Sequence, residues 1–236
     1  MIRRRLVLTC EHAGNRIPAR YRHLFAARRA QAALHSHRGY DPGALLLARR
    51  LSERFRTELH YNTVTRLLVE PNRTIGHKAV FSEFSAPLPD SERQRVIDLY
   101  YTSHRNRVTA AIDRLIEEGS TVVHVAVHSF TPRLHGETRR ADIALLYDPR
   151  RPAERQFCTE WVDGMRRRMP DLRYRKNYPY RGRDDGFTSW LRRRHPDPRY
   201  LGIELEVNQK LLGGTERLVA RIAAAVESCL RDLLET

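Results

Sequence analysis

TVVHVAVHS, residues 121–129, is a valine-rich run interrupted by His124 and His128 and closed by Ser129. It is short, β-branched and apolar on both alternating faces, so it reads as a buried strand. Upstream, SERQRVIDLYYTSHRNRVTAAIDRLIEEG (91–119) has helical periodicity, with Ser91 as expected N-cap and Gly119 as stop. Downstream, DIALLYD (142–148) reads as a strand and ERQFCTEWVDGMRRRM (154–169) as a helix. The pattern continues to both ends. LVLTC (6–10), TELHYN (57–62), TRLLVEP (65–71) and YLGIELEVN (200–208) read as strands. DPGALLLARRLSERF (41–55), with Asp41 near the cap and Pro42 near the start, and TERLVARIAAAVESCLRDLLE (215–235) read as helices. Strands alternating with helices predict an α/β fold of three layers: a mostly parallel or mixed twisted sheet with helices on both faces. No repeat or linker divides the chain, and one domain over residues 1–236 is expected.

Composition narrows the class. The chain carries a formal charge of +15, which invites a nucleic-acid partner. Only three of its 43 basic residues are lysine (Lys78, Lys176, Lys210), and the arginines spread over the whole chain instead of forming one stripe. That skew fits a coding bias better than a binding face, so nucleic acid is the minority reading. Three scattered cysteines supply neither a disulfide framework nor a zinc clip. No apolar run reaches membrane-spanning length, and MIRRRLVLTC lacks the pattern of a signal peptide; no membrane partner and a cytoplasmic location are expected.

In open α/β sheets, ligands bind beyond the carboxyl ends of the strands. Those ends carry Glu11 and His12, Asn72 and Arg73, His128 and Ser129, and Glu204 and Glu206. Two strand-end histidines with a carboxylate suit a catalytic zinc that keeps one position open. His124, in mid-strand, reads as a core histidine. Glu204 and Glu206 are two apart and share a face, where a pair of carboxylates needs a role or a partner. One of them is the expected general base; an ion pair with arginine is the plain alternative for Glu204. The Arg73 fork beside Asn72 suits a substrate carboxylate, and an ordinary turn explains the same residues.

CEHAGNRIP, HRGYDPGA, RLLVEPNR, HSFTP followed by RRADIALLYD, NYPYRGRDDG and IELEVNQ, in that order and covering most of the chain from about residue 6 to residue 212, together resemble the N-formylglutamate amidohydrolase family. The resemblance implies a zinc exopeptidase-like (phosphorylase/hydrolase-like) fold, related to aspartoacylase and zinc carboxypeptidases. It also implies hydrolysis of an N-acyl bond on an acidic amino acid, a C–N bond in a linear amide other than a peptide. His12 and His128 correspond to metal ligands, Asn72 and Arg73 to the pair that holds the substrate carboxylate, and Glu206 to the general base. The cofactor implied is Zn2+ or another divalent metal, and the partner a small N-acyl amino acid. One position departs. The wider superfamily has a glutamate three residues after the first histidine, where this chain has Asn15. Asp41, in HRGYDPGA, is the expected third ligand, with Glu11 as runner-up. Arg140 and Arg181 are further candidates for substrate binding, the latter in a loop expected to close on substrate. His104 and Cys10 are expected to be packing residues. The oligomeric state is left open. A non-catalytic anion-binding or nucleic-acid-associated protein on the same fold is the alternative.

Overall fold

The computed structural model describes residues 3–235. The chain runs β1 (Arg4–Cys10), a 3-10 helix (Ala19–Phe25), α1 (Arg28–Leu34), α2 (Ala44–Phe55), β2 (Leu59–Tyr61) and α3 (Asp90–Val96). It continues through a π-helical stretch (Ile97–Thr102) into α4 (Ser103–Glu117), then β3 (Thr121–Phe130), β4 (Arg133–Leu134), β5 (Glu137–Thr138) and β6 (Ile143–Leu146). The last elements are α5 (Pro152–Arg168), β7 (Tyr174–Lys176), α6 (Phe187–Arg194), β8 (Tyr200–Asn208), α7 (Gln209–Leu212) and α8 (Glu216–Glu235). The six-stranded sheet has the order β2-β1-β3-β8-β6-β7, while β4 and β5 form a separate hairpin. β2, β1, β3 and β8 are parallel; β6 pairs antiparallel with β8 and parallel with β7, so the sheet is mixed.

Side-chain alternation makes the three layers. Leu8, Val123, Val125, Ile203 and Leu205 face one way and share a core with residues of α2, α5 and α8, including Leu47, Trp161 and Val226. Val7, Val122 and Tyr200 face the other way, against Val108 and Ile112 of α4 and Phe187 and Leu191 of α6. Each fully buried aliphatic side chain contributes roughly 1.5–3 kcal/mol of transfer free energy. The second face is polar towards the carboxyl edge, because its alternation also brings His124, His128, Glu204 and Glu206 to that side.

Three local expectations are corrected. TRLLVEP is no strand: Leu67 and Leu68 lie in a turn, Val69 follows it, and all three join a second core with Tyr21, Phe25 and Leu34. The short helices between β1 and α2 give these residues an apolar cover, so their burial needs no sheet partner. The long helix starts at Asp90 after Pro89, without a side-chain cap from Ser91, and its middle turn is π-helical; Gly119, at φ 88°, follows its end. Asp41 is not the cap of α2. That position belongs to Gly43, at φ 81°, where an added Cβ would lie 2.4 Å from Leu212 Cβ. The tight turn sends Asp41 back to β1, where its N–H donates to His12 O at 3.0 Å.

Candidate metal centre and substrate cavity

β1, β3 and the turn before α2 meet at the carboxyl edge. Asp41 Oδ2 lies 3.3 Å from His12 Nδ1 and 2.9 Å from His128 Nδ1, and all three residues are buried. Their donor atoms fall within 4.8 Å of one another. The outer nitrogens meet further carboxylates: His12 Nε2 is 2.5 Å from Glu70 Oε1, and His128 Nε2 is 3.2 Å from Glu11 Oε2. Glu11 thus stands behind His128, on the side away from Asp41. Its other oxygen is 3.7 Å from Nε2 of His104, which is buried and has both ring nitrogens without a hydrogen-bond partner.

The charges favour a cation. Burial alone would push the Asp41 carboxyl up, yet His12 and His128 hold it well below its usual range. Glu70 is likewise buried, and Arg66 and His12 hold it low. Burial and Arg66 work against a proton on His12, but Glu70 and Asp41 outweigh them and raise its pKa. Burial opposes protonation of His128 too; Asp41 and Glu11 raise it well above the ordinary value. Carboxylates on both sides of each ring thus favour positive charge in this cluster. Two imidazole nitrogens, one carboxylate and outer carboxylates on both rings fit a divalent metal such as zinc.

This cluster lies on the wall of a cavity of about 750 Å³, which Asn72, Arg73, Arg181, Glu204 and Glu206 also line. Glu206 is buried, and its Oε2 has no hydrogen-bond partner. Burial pushes its carboxyl up to about 8; His128 opposes the rise, and Asp41 and Glu204 add to it. Glu204 accepts from Thr188 Oγ1 at 2.9 Å instead of pairing with an arginine.

Asn72 Oδ1 accepts the Phe187 N–H at 2.7 Å, tying this turn to the start of α6. The Arg73 guanidinium donates to Asp185 O, and the Arg73 carbonyl accepts from Tyr101 Oη at 2.7 Å and Arg105 at 3.3 Å. Arg105 is buried between Phe187 and Trp190, its guanidinium 4.2 and 4.9 Å from their ring centres. Arg181 is exposed at the cavity, on a loop held at its base: Asn177 Oδ1 accepts N–H groups of Tyr147 at 3.1 Å and Gly182 at 2.9 Å. Arg140 is exposed and outside the cavity lining, so the structure does not bring it to the site. His124 is a core residue, and Cys10 is a buried strand residue whose thiol burial pushes up.

Glu70, Arg66 and Arg105 escaped the sequence reading. The first two had a visible signal, opposite charges four apart flanking the apolar LLV of RLLVE, which a surface ion pair also produces.

A profile of the N-formylglutamate amidohydrolase family matches residues 4–212. Among solved structures, the gene product Atu2144 from Agrobacterium tumefaciens aligns with a TM-score of 0.78 at 29% identity, over 97% of this chain and 91% of its own. The N-formylglutamate amidohydrolase from Ralstonia eutropha JMP134 aligns with a TM-score of 0.71 over 98% of this chain and 92% of its own; at 19% identity the likeness is one of fold. No curated protein matches the chain. The matched span contains the histidine–aspartate cluster, the cavity arginines Arg73 and Arg181, and both strand-end glutamates. This chain belongs to the N-formylglutamate amidohydrolase family.

Proposed function

We propose that the protein, acting as one catalytic domain, is a metal-dependent amidohydrolase that removes the formyl, or another small acyl, group from the nitrogen of an acidic amino acid such as N-formylglutamate. One observation carries the reading: the convergent donors of His12, Asp41 and His128 share a cavity wall with a buried carboxylate, Glu206, that has an unpartnered oxygen. A divalent cation on these three residues supplies Lewis-acid polarisation of the acyl carbonyl and makes water a better nucleophile near neutral pH.

Glu206 accepts a proton as water oxygen bonds to the acyl carbon, then delivers it to the amine nitrogen as the C–N bond breaks. The products are the free acid of the acyl group and the amino acid. Burial, with Asp41 and Glu204 beside it, pushes the Glu206 carboxyl up to about 8, so without a cation it is mostly protonated at neutral pH; beside a bound cation it ionises more readily and is available as a base. Arg73 pairs with the substrate carboxylate. Asn72, whose oxygen is committed to α6, turns its amide N–H groups to the same ligand. Arg181 adds positive charge at the cavity, and Arg140 takes no part.

Amine release from N-formyl, N-acetyl and larger N-acyl derivatives of glutamate, aspartate and neutral amino acids tests the reading. The zinc-reconstituted protein is expected to prefer acidic substrates. Glu206→Gln is expected to lower kcat by about 10²–10⁴-fold while still binding the metal. Arg73→Met is expected to raise KM with little change in kcat. Unchanged turnover in Glu206→Gln, or no stoichiometric divalent metal after reconstitution, would overturn it.

A further inference from the structure

We infer that Glu70, held in place by Arg66, is a positioning residue that couples the metal centre to the carboxylate anchor; this rests on the function proposed above. Glu70 Oε1 meets two groups, His12 Nε2 at 2.5 Å and the Asn72 N–H at 2.9 Å. Its Oε2 accepts from Arg66 Nε at 2.6 Å, and Arg66 Nη1 reaches Asp41 Oδ1 at 3.5 Å. His12 Nδ1 and Asp41 Oδ2, 3.3 Å apart, close a ring of four side chains. The Glu70 carbonyl also accepts the Arg73 N–H at 3.3 Å. One residue therefore touches a metal ligand through its side chain and both residues of the anchor through their backbone.

The chemistry gives the contact its direction. A carboxylate on Nε2 keeps the hydrogen of neutral His12 on that nitrogen and leaves the Nδ1 lone pair pointing at Asp41 and His128. Arg66 prevents Glu70 from swinging away and restrains Asp41 from its other side. Displacing Glu70 would turn the His12 ring and shift the 70–73 backbone together, so metal affinity and carboxylate affinity should fall as a pair. A simple loop-stabilising ion pair would lower thermal stability and leave both affinities of the folded protein unchanged.

Glu70→Gln separates the two. Its amide can offer one oxygen to His12, but its NH2 then faces the guanidinium of Arg66, donor against donor. Zinc affinity is read by competition with a chromophoric chelator, and glutamate affinity of the zinc-loaded protein by calorimetry. Glu70→Gln is expected to weaken zinc binding about 10–100-fold and to weaken glutamate binding as well. Arg73→Met is expected to weaken glutamate alone. Where Glu70→Gln fails to fold, the double variant Arg66→Met/Glu70→Gln, which leaves no unpaired buried charge, carries the same expectation. A folded variant that binds both zinc and glutamate as wild type does would overturn the coupling, as would wild-type protein that binds no zinc. Wild-type protein that binds zinc and glutamate without cleaving any N-acyl amino acid overturns the catalytic reading and leaves the coupling standing.

Discussion

His124 and His128 lie four residues apart on the same face of β3, and their surroundings give them opposite chemistry. His128 sits between two carboxylates, which raise its pKa. His124 is fully buried, its Nε2 2.8 Å from Thr9 Oγ1 and its Nδ1 2.7 Å from Tyr200 Oη, and burial pushes it from 6.5 down to about 4. The unfolded chain takes up a proton at this residue below about pH 6.5, while the folded chain refuses it until about pH 4. Its contribution to stability is therefore complete above the upper value and falls as the pH drops through that window, by on the order of 3 kcal/mol at the lower end. Urea titrations at pH 7.5 and 4.5 are expected to show a smaller pH-dependent loss in His124→Gln than in wild type. Equal losses would mean that His124 takes up its proton in the native state. Residues that a strand end brings to the cavity, such as His12, His128 and Glu206, were legible in the sequence. Glu70 and Arg66 act through His12 and Asp41, 58 and 25 positions away in the chain, and no local pattern marks such contacts.

The loop between β7 and α6 shows how an element holds a site without belonging to the sheet. Arg192 of α6 donates Nε to both oxygens of Glu154 at 2.9 and 3.0 Å and also donates to the carbonyls of Gly182 and Gly202. Glu154 in turn accepts the Gly202 N–H at 3.0 Å, so a buried ion pair fastens the loop to β8. Tyr180 and Arg181, which line the cavity, precede the fastened glycine. The loop expected to close on substrate is held at its base by these contacts, one of them at Gly182, next to Arg181. An added Cβ at Gly182 would sit 2.1 Å from Tyr147 N, a backbone atom with nowhere to go. Gly182→Ala should thus cost about 1–3 kcal/mol and raise KM for acidic substrates more than it lowers kcat. Wild-type stability by urea titration, or an unchanged KM, would show that the loop yields freely. The regular elements were easier to read than this loop. Valine-rich β3 and the periodic α8 announce themselves, whereas the apolar run Leu67–Val69 has the residues and burial of a strand on the backbone path of a loop. Its period cannot separate the two, because the covering residues, Tyr21, Phe25 and Leu34, come from short helices with weak signals.

Over the whole molecule the arginines do less for stability than their number suggests. Exposed pairs such as Arg38 with Glu83 and Arg168 with Asp232 are each worth about 0–1 kcal/mol and weaken further in salt. Among the described residues, no helix is long and apolar enough to cross a membrane. Cohesion comes from the two-faced sheet, and the carboxyl edge is where it is least uniform: the ends of β1 and β3 and the turn before α2 meet through His12, His128 and Asp41, with the second core beyond them. A cation bound there joins three segments that are distant in sequence, and binding to the folded state alone must stabilise that state. Free zinc at a hundred times its Kd adds about 2.7 kcal/mol, which for a domain of this size raises Tm by roughly 5–11 °C. Scanning calorimetry of chelator-treated protein, with and without added zinc, measures this shift directly. Asp41→Asn keeps the shape of the side chain but loses the charge between the histidines, so its Tm should respond far less to zinc. Coincident melting of wild-type protein with and without zinc would remove the metal centre from the description, and an undiminished shift in Asp41→Asn would remove Asp41 from the ligand set.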